Sequence, residues 1–105
     1  MDVLLRIKRL VLRGQIVYTR KARNEMADEG ITDSEVVESL LNAQSIAKTV
    51  RSKSRYRSSS HEKLYIIKSL SYGGTFIYTK GKIARHGKAE SFYVLVSSKI
   101  ATIDD

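Results

Sequence analysis

Apolar residues recur at Val3, Leu4, Ile7, Leu10 and Val11, the three-to-four spacing of an amphipathic helix. Asp2 is placed to cap its start and Gly14 to end it. The run Gln15-Ile-Val-Tyr-Thr19 is β-branched and aromatic, which predicts a short strand. Thr19 then caps a second helix reaching about Glu29, with Ala22 and Met26 inward and Gly30 as its stop. Thr32-Asp-Ser-Glu35 has the capping-box spacing and opens a third helix, with Val36, Val37, Leu40 and Leu41 facing a core.

After Asn42 the period changes from helical to alternating. Ser45–Val50, Lys63–Leu70, Thr75–Lys82 and Phe92–Lys99 read as strands, separated by the basic segment Arg51–His61, by Gly73-Gly74 and by the polar stretch Lys82–Ser91. Helices first and a meander afterwards predict one α+β domain over residues 1–105, its N-terminal helices packed on a twisted antiparallel sheet. Alternation also assigns faces. Phe76, Tyr78 and Lys80 share one side of their strand, and Thr75, Ile77 and Thr79 the other. In the last strand Tyr93, Leu95, Ser97 and Lys99 point one way, and Phe92, Val94, Val96 and Ser98 the other. Pairing of these two strands across a Gly81–Ser91 hairpin is expected to gather Tyr78, Lys80 and Lys99.

Charge sharpens this picture. Residues 1–40 carry seven Lys/Arg and seven Asp/Glu, whereas residues 41–103 carry twelve Lys/Arg against Glu62 and Glu90 alone. So lopsided a field favours a polyanionic partner, nucleic acid being the commonest. The densest run, Arg51-Ser-Lys-Ser-Arg-Tyr-Arg57, alternates cations with serine and one tyrosine and predicts a loop or hairpin tip. The acids of the first half, Glu25, Asp28, Glu29, Asp33, Glu35 and Glu38, read as a solvated patch. Arg20, Lys21 and Arg23 at the start of the second helix oppose its dipole, a placement that makes sense beside a bound phosphate or at simple surface exposure.

Other classes find little support. The chain has no cysteine, so neither a disulfide frame nor a thiolate metal site can form. His61 and His86 lack acidic neighbours at ligand spacing, so no metal or other cofactor is expected. No apolar run approaches the roughly 18–20 residues of a membrane span, and the first residues lack the core of a signal peptide, so a cytoplasmic location is expected.

A face of cations, tyrosines and one imidazole, without a carboxylate cluster, suits metal-independent RNA cleavage. Such a reaction needs a base for the 2′-hydroxyl, positive charge for the phosphorane and an acid for the departing 5′-oxygen. The candidates are Tyr78, Lys99 and Arg57 for the chemistry. Arg51, Lys53, Arg55, Tyr56, His61, Lys80 and Lys82 are candidates for holding RNA, with Tyr56 available to stack on a base. The plain alternative for each is a solvated strand face or a half-buried packing tyrosine. The rival functions are an inert nucleic-acid-binding protein and a protein acting by protein–protein contact.

Three stretches carry a family likeness: Leu4-Leu-Arg-Ile-Lys-Arg-Leu-Val-Leu-Arg-Gly-Gln-Ile-Val-Tyr-Thr-Arg20, Gly74-Thr-Phe-Ile-Tyr-Thr-Lys80 and Phe92-Tyr-Val-Leu-Val-Ser-Ser-Lys99. Together they resemble the MqsR-type toxins of bacterial type II toxin–antitoxin systems, a branch of the RelE-like messenger-RNA interferases. The piece from Ala22 to Val36 is similar to a related RelE-like group with two short helices flanking a Gly-Ile step. The resemblance implies a RelE-like fold, metal-independent and ribosome-independent endoribonuclease activity on messenger RNA, and restraint by a cognate antitoxin encoded nearby. By position it puts Tyr78 at the family's active-site tyrosine and Lys99 at its closing-strand lysine. Lys53, Arg55 and Arg57 remain open for a further basic residue. The family's glutamine has no counterpart, the matching strand reading Leu64-Tyr-Ile-Ile-Lys68.

Overall fold

The computed structural model describes residues 2–53, 62–86 and 90–102, with His86 and Glu90 described for their backbone alone. The elements run α1 (Val3–Leu12), β1 (Ile16–Tyr18), α2 (Arg20–Glu29), α3 (Asp33–Asn42), β2 (Lys48–Arg51), β3 (Lys63–Leu70), β4 (Phe76–His86) and β5 (Glu90–Ile100). Local chemistry sets the helix ends. The Leu4 N–H donates to Asp2, and the Ala22 N–H donates to Thr19 Oγ1 at 3.1 Å. In α3 both halves of the capping box form: Glu35 N–H to Thr32 Oγ1 at 3.1 Å and Thr32 N–H to Glu35 Oε1 at 3.0 Å. Gly30 closes α2 at φ 69°, a left-handed conformation that glycine adopts without a Cβ penalty.

The five strands form one sheet in the order β1-β5-β4-β3-β2. From β2 to β5 it is the expected antiparallel meander, but β1 pairs parallel to β5, with Val17 opposite Val94, so the sheet is mixed. Parallel neighbours need a long connection. Here α2, α3 and the meander supply it. Strands β4 and β5 also run further than the polar stretch Lys82–Ser91 foretold, because alternation persists: Ile83 pairs with Tyr93 on the core side. Residues 87–89 lie outside the described residues.

All three helices feed one core. Leu4, Ile7, Leu10 and Val11 of α1, Ala22 and Met26 of α2, and Val36 and Leu40 of α3 join Ile67, Ile77, Tyr93 and Leu95 from the sheet. The helices therefore cover one face, and no described helix or strand packs on the other. No helix among the described residues is long and apolar enough to cross a membrane.

The acids of α2 and α3 have more to do than face water. Glu29 accepts from the Ile100 N–H at 2.8 Å, beyond the point where β1 stops covering the edge of β5. Glu38 accepts from the Tyr72 N–H and Glu35 from the Thr75 hydroxyl, both at 3.0 Å, so α3 clasps the turn between β3 and β4. The Thr32 N–H, with the Thr75 hydroxyl adding, holds the Glu35 carboxyl below the usual carboxylate range. A lowered folded value means the stability Glu35 supplies is complete above its unfolded value near 4.5 and is lost as pH falls through the lower folded one. Glu35→Gln is expected to flatten the acid limb of a stability-against-pH curve in that window, measured by denaturant unfolding.

Candidate nucleic-acid interface

Strand β4 is the spine of the face on which no described helix or strand packs. Its register places Lys68 of β3 and Lys99 of β5 opposite Tyr78, one on each side, so Lys68, Tyr78 and Lys99 form a row across three strands. The Lys99 ammonium lies 5.1 Å from the centroid of the Tyr78 ring, within cation–π range. One step along, Lys80 sits between Ile66 and Ser97, and Ile66 in turn pairs with Lys48 at the sheet edge. Phe76, 43% exposed, continues the same side of β4. Five lysines thus share this face with Tyr78: Lys48, Lys68, Lys80, Lys82 and Lys99. Against them stands one described carboxylate, Glu62.

Lys99 reaches this row through a fault in the alternation. Strict alternation groups it with Tyr93 and Leu95, both fully buried on the helix side. The register slips between Lys80, opposite Ser97, and Gly81, opposite Leu95, leaving Val96 as the extra residue of a β-bulge. The bulge resets the phase: Lys99 emerges beside Tyr78, while Ser98 turns inward and is fully buried. This corrects the face assignment for Ser97, Ser98 and Lys99 and explains how the expected grouping of Tyr78, Lys80 and Lys99 arises.

Helix α2 holds the bulge in place. The Thr19 N–H donates to Leu95 O at 3.0 Å and its hydroxyl to Val96 O at 3.2 Å. Glu25 accepts from the Ser97 hydroxyl at 2.8 Å and the Ser98 N–H at 3.0 Å. Glu25→Gln weakens two charge-assisted bonds to neutral ones and is expected to cost about 1 kcal/mol. Denaturant unfolding would measure this, with shifted amide resonances confined to residues 96–99.

Two of the cations at the start of α2, Lys21 and Arg23, are used within the molecule. Arg23 lies 4.1 Å over the Tyr18 ring and pairs with Asp33, while Lys21 lies 3.8 Å from Glu25. Burial, with Asp33 adding and Arg23 opposing, pushes the Tyr18 phenol up to about 12. Stability linked to that phenol is whole below its ordinary value of 10.0 and declines as pH rises toward 12.

Of the other candidates, Arg55, Tyr56, Arg57 and His61 lie outside the described residues. Arg51 pairs with Lys63, two positions from the Thr49–Tyr65 pair, and so takes the helix side rather than the face of Tyr78. Lys53 and Lys82 meet at a cleft of about 330 Å³, where Lys82 Nζ lies 3.1 Å from Glu62 Oε1. Sequence reasoning passed over Lys68 and Glu62. The alternation of Leu64, Ile66 and Lys68 carried a signal for the first, but nothing local carried one for the second. Among the described residues no three His, Asp or Glu side chains gather at metal-ligand distance. Compared with protein-family models, with curated proteins and with solved structures, the chain matches none.

Proposed function

We propose that the chain is a metal-independent endoribonuclease of the RelE-like type, the toxin of a type II toxin–antitoxin pair, acting on single-stranded messenger RNA in the cytoplasm. The observation that carries this reading is the row Lys68–Tyr78–Lys99 on a lysine-rich sheet face on which no described helix or strand packs. The reaction forms a bond between the 2′-oxygen and phosphorus and breaks that between phosphorus and the 5′-oxygen. A proton leaves the 2′-hydroxyl and another reaches the departing 5′-oxygen, giving a cyclic phosphate and a 5′-hydroxyl. Tyr78 and Lys99 serve as the acid–base groups, and Lys68 offsets phosphorane charge from the other side of the ring. Lys80 and Lys48 extend the positive track along which the backbone lies. The resemblance to MqsR-type toxins supports the same assignment for Tyr78 and Lys99 and adds the cognate antitoxin as partner.

Induction in bacteria tests the toxin reading. Wild type should stop growth and deplete messenger RNA, while Tyr78→Phe and Lys99→Ala permit both to continue. Growth arrest with messenger RNA intact would instead indicate a poison acting on another protein. Removal of Lys80 should weaken RNA binding uniformly across sequences and reduce the slope of log affinity against log salt by about 0.7.

A further inference from the structure

We infer that the cleft where β3 runs beyond β2 is a nucleobase subsite with the Phe76 ring as its stacking surface, an inference that rests on the reading of this face as an RNA-binding surface. Strand β2 covers the edge of β3 only from Lys63 to Ile66. Beyond that point the connection from α3 to β2 runs beside the edge. Asn42 Nδ2 donates to Leu70 O at 3.0 Å, and the Ala47 N–H donates to Ile66 O at 2.8 Å. There a cleft of about 340 Å³ is lined by Asn42, Gln44, Ser45, Lys68, Leu70 and Phe76 among others, a size within the range of small-ligand pockets. Leu70 and Phe76 are partners across β3 and β4, and they are 46% and 43% exposed. Scattered exposed apolar residues are ordinary on a protein surface, but these two adjoin each other and a cleft.

Lys68 decides what the occupant is. It lines the cleft and also stands opposite Tyr78, the neighbouring pair on the same side of these two strands. Phe76 and Tyr78 are two residues apart on β4, roughly 7 Å at strand rise. The cleft therefore joins an apolar surface to a cation, with no carboxylate among its described lining residues. An aliphatic ligand would use Leu70 and Phe76 and leave the ammonium idle. A free phosphate would use the ammonium and leave the ring idle. A nucleotide uses both, its flat base on Phe76 and its phosphate at Lys68. Single-stranded RNA is bound in this way through unstacked bases, and an aromatic ring accepts any of the four because each has a π-face. Gln44 and Ser45, both exposed, add an amide and a hydroxyl where the polar edge of a base needs partners. The stacked base belongs to the nucleotide next to the phosphate at the Lys68–Tyr78–Lys99 row.

The test uses binding rather than cleavage. The probe is a 2′-O-methyl uridine pentamer with 2-aminopurine at its centre, a base whose fluorescence falls when it stacks; the methyl group blocks strand scission. Wild type should quench the probe. Phe76→Ala, checked by circular dichroism for folding, should not quench it and should bind it at least about fivefold more weakly. The slope of log affinity against log salt should stay the same, because no cation is removed. Phe76→Leu, which keeps apolar bulk for the fold but has no π-face, should also fail to quench, and Phe76→Tyr should quench as wild type does. A pentamer with an abasic central sugar should bind wild type and Phe76→Ala alike. Unchanged affinity and quenching in Phe76→Ala overturn the subsite, and so does an equal loss of affinity for the abasic pentamer. A wild type that sediments as a dimer, and as a monomer once Phe76 is replaced, assigns the surface to a second copy instead. Cleavage of unmodified RNA is measured separately. Quenching that depends on Phe76 in a protein that cuts no RNA supports the subsite and sinks the nuclease; cleavage with affinity indifferent to Phe76 does the reverse.

Discussion

Tyr78→Phe is expected to slow RNA cleavage by about 10²–10⁴-fold, the range for removing a positioned proton-transfer group. The substitution deletes one oxygen and keeps the ring on which Lys99 rests, so the fold and the affinity for RNA should change little. Lys99→Ala should reduce the rate by a comparable factor, because in the proposed reaction it removes the second of the two acid–base groups. Lys68→Ala should do so as well, since Lys68 occupies the matching place on the other side of Tyr78. If the three act as one unit, combining any two should cost little more than the worse of them alone. Single-turnover rates on a short labelled RNA would measure all of this. Full additivity, or near-wild-type rates in Tyr78→Phe, would place the chemistry elsewhere.

Gly81→Ala is expected to destabilise the fold by about 3 kcal/mol, at the upper end of the cost of overfilling a packed core. A Cβ at this position would lie 2.5 Å from Tyr93 Cζ, 2.7 Å from its hydroxyl oxygen and 2.8 Å from Cε2. Tyr93 is fully buried in the core, where side chains are close-packed and a ring moves only by displacing its neighbours. The need for glycine here is steric, not conformational, because its φ lies outside the left-handed region. For a chain of this size the melting temperature should fall by roughly 10 °C or more. The cause can be checked with Tyr93→Leu, which removes the opposing ring. The double variant should lose less stability than the two single losses added together. Tyr93→Phe should be neutral or mildly stabilising, since the Tyr93 hydroxyl is buried without a hydrogen-bond partner among the described residues. Burial, with Tyr65 adding, pushes that phenol up, as befits a group that cannot ionise in place.

Gly81 also shows where sequence reasoning stops. In the sequence it reads as the start of a hairpin, because glycine followed by polar residues is an ordinary turn signal. In the structure it lies inside β4 under an aromatic ring that comes from β5. Features set by neighbours in the chain were legible: the Thr32–Glu35 capping box, the Gly30 stop, and the span of β3 to the residue. Features set by distant partners were not. The parallel pairing of β1 with β5 joins the two ends of the chain, and no local period encodes it. Val96 looks like any other strand valine, and it becomes a bulge only against Lys80 and Gly81 and under Thr19 and Glu25 of α2. That bulge decides whether Lys99 is a core residue or a neighbour of Tyr78. Glu25, Glu29, Glu35 and Glu38 were read as solvated because a carboxylate's backbone partner cannot be seen from its own helix.

The candidate site divides along the same line. Tyr78 and Lys80 could be put on one face from alternation alone, and the charge count pointed to a polyanion. Lys68 required the register of β3 against β4, and Glu62 required the tertiary approach of Lys82. The lysine face is in turn fixed by the helix side of the same sheet: Tyr93 on Gly81 sets the packing of β4 on β5, and Glu25 holds the bulge that presents Lys99.

The most direct measurement is cleavage of a single-stranded RNA by the purified protein in excess chelator, with fragment ends identified by mass spectrometry. Fragments ending in 2′,3′-cyclic phosphate and beginning with 5′-hydroxyl, formed by wild type and lost in Tyr78→Phe, are the expected result. RNA that stays intact, or that is cut only when a divalent metal is restored, would contradict it.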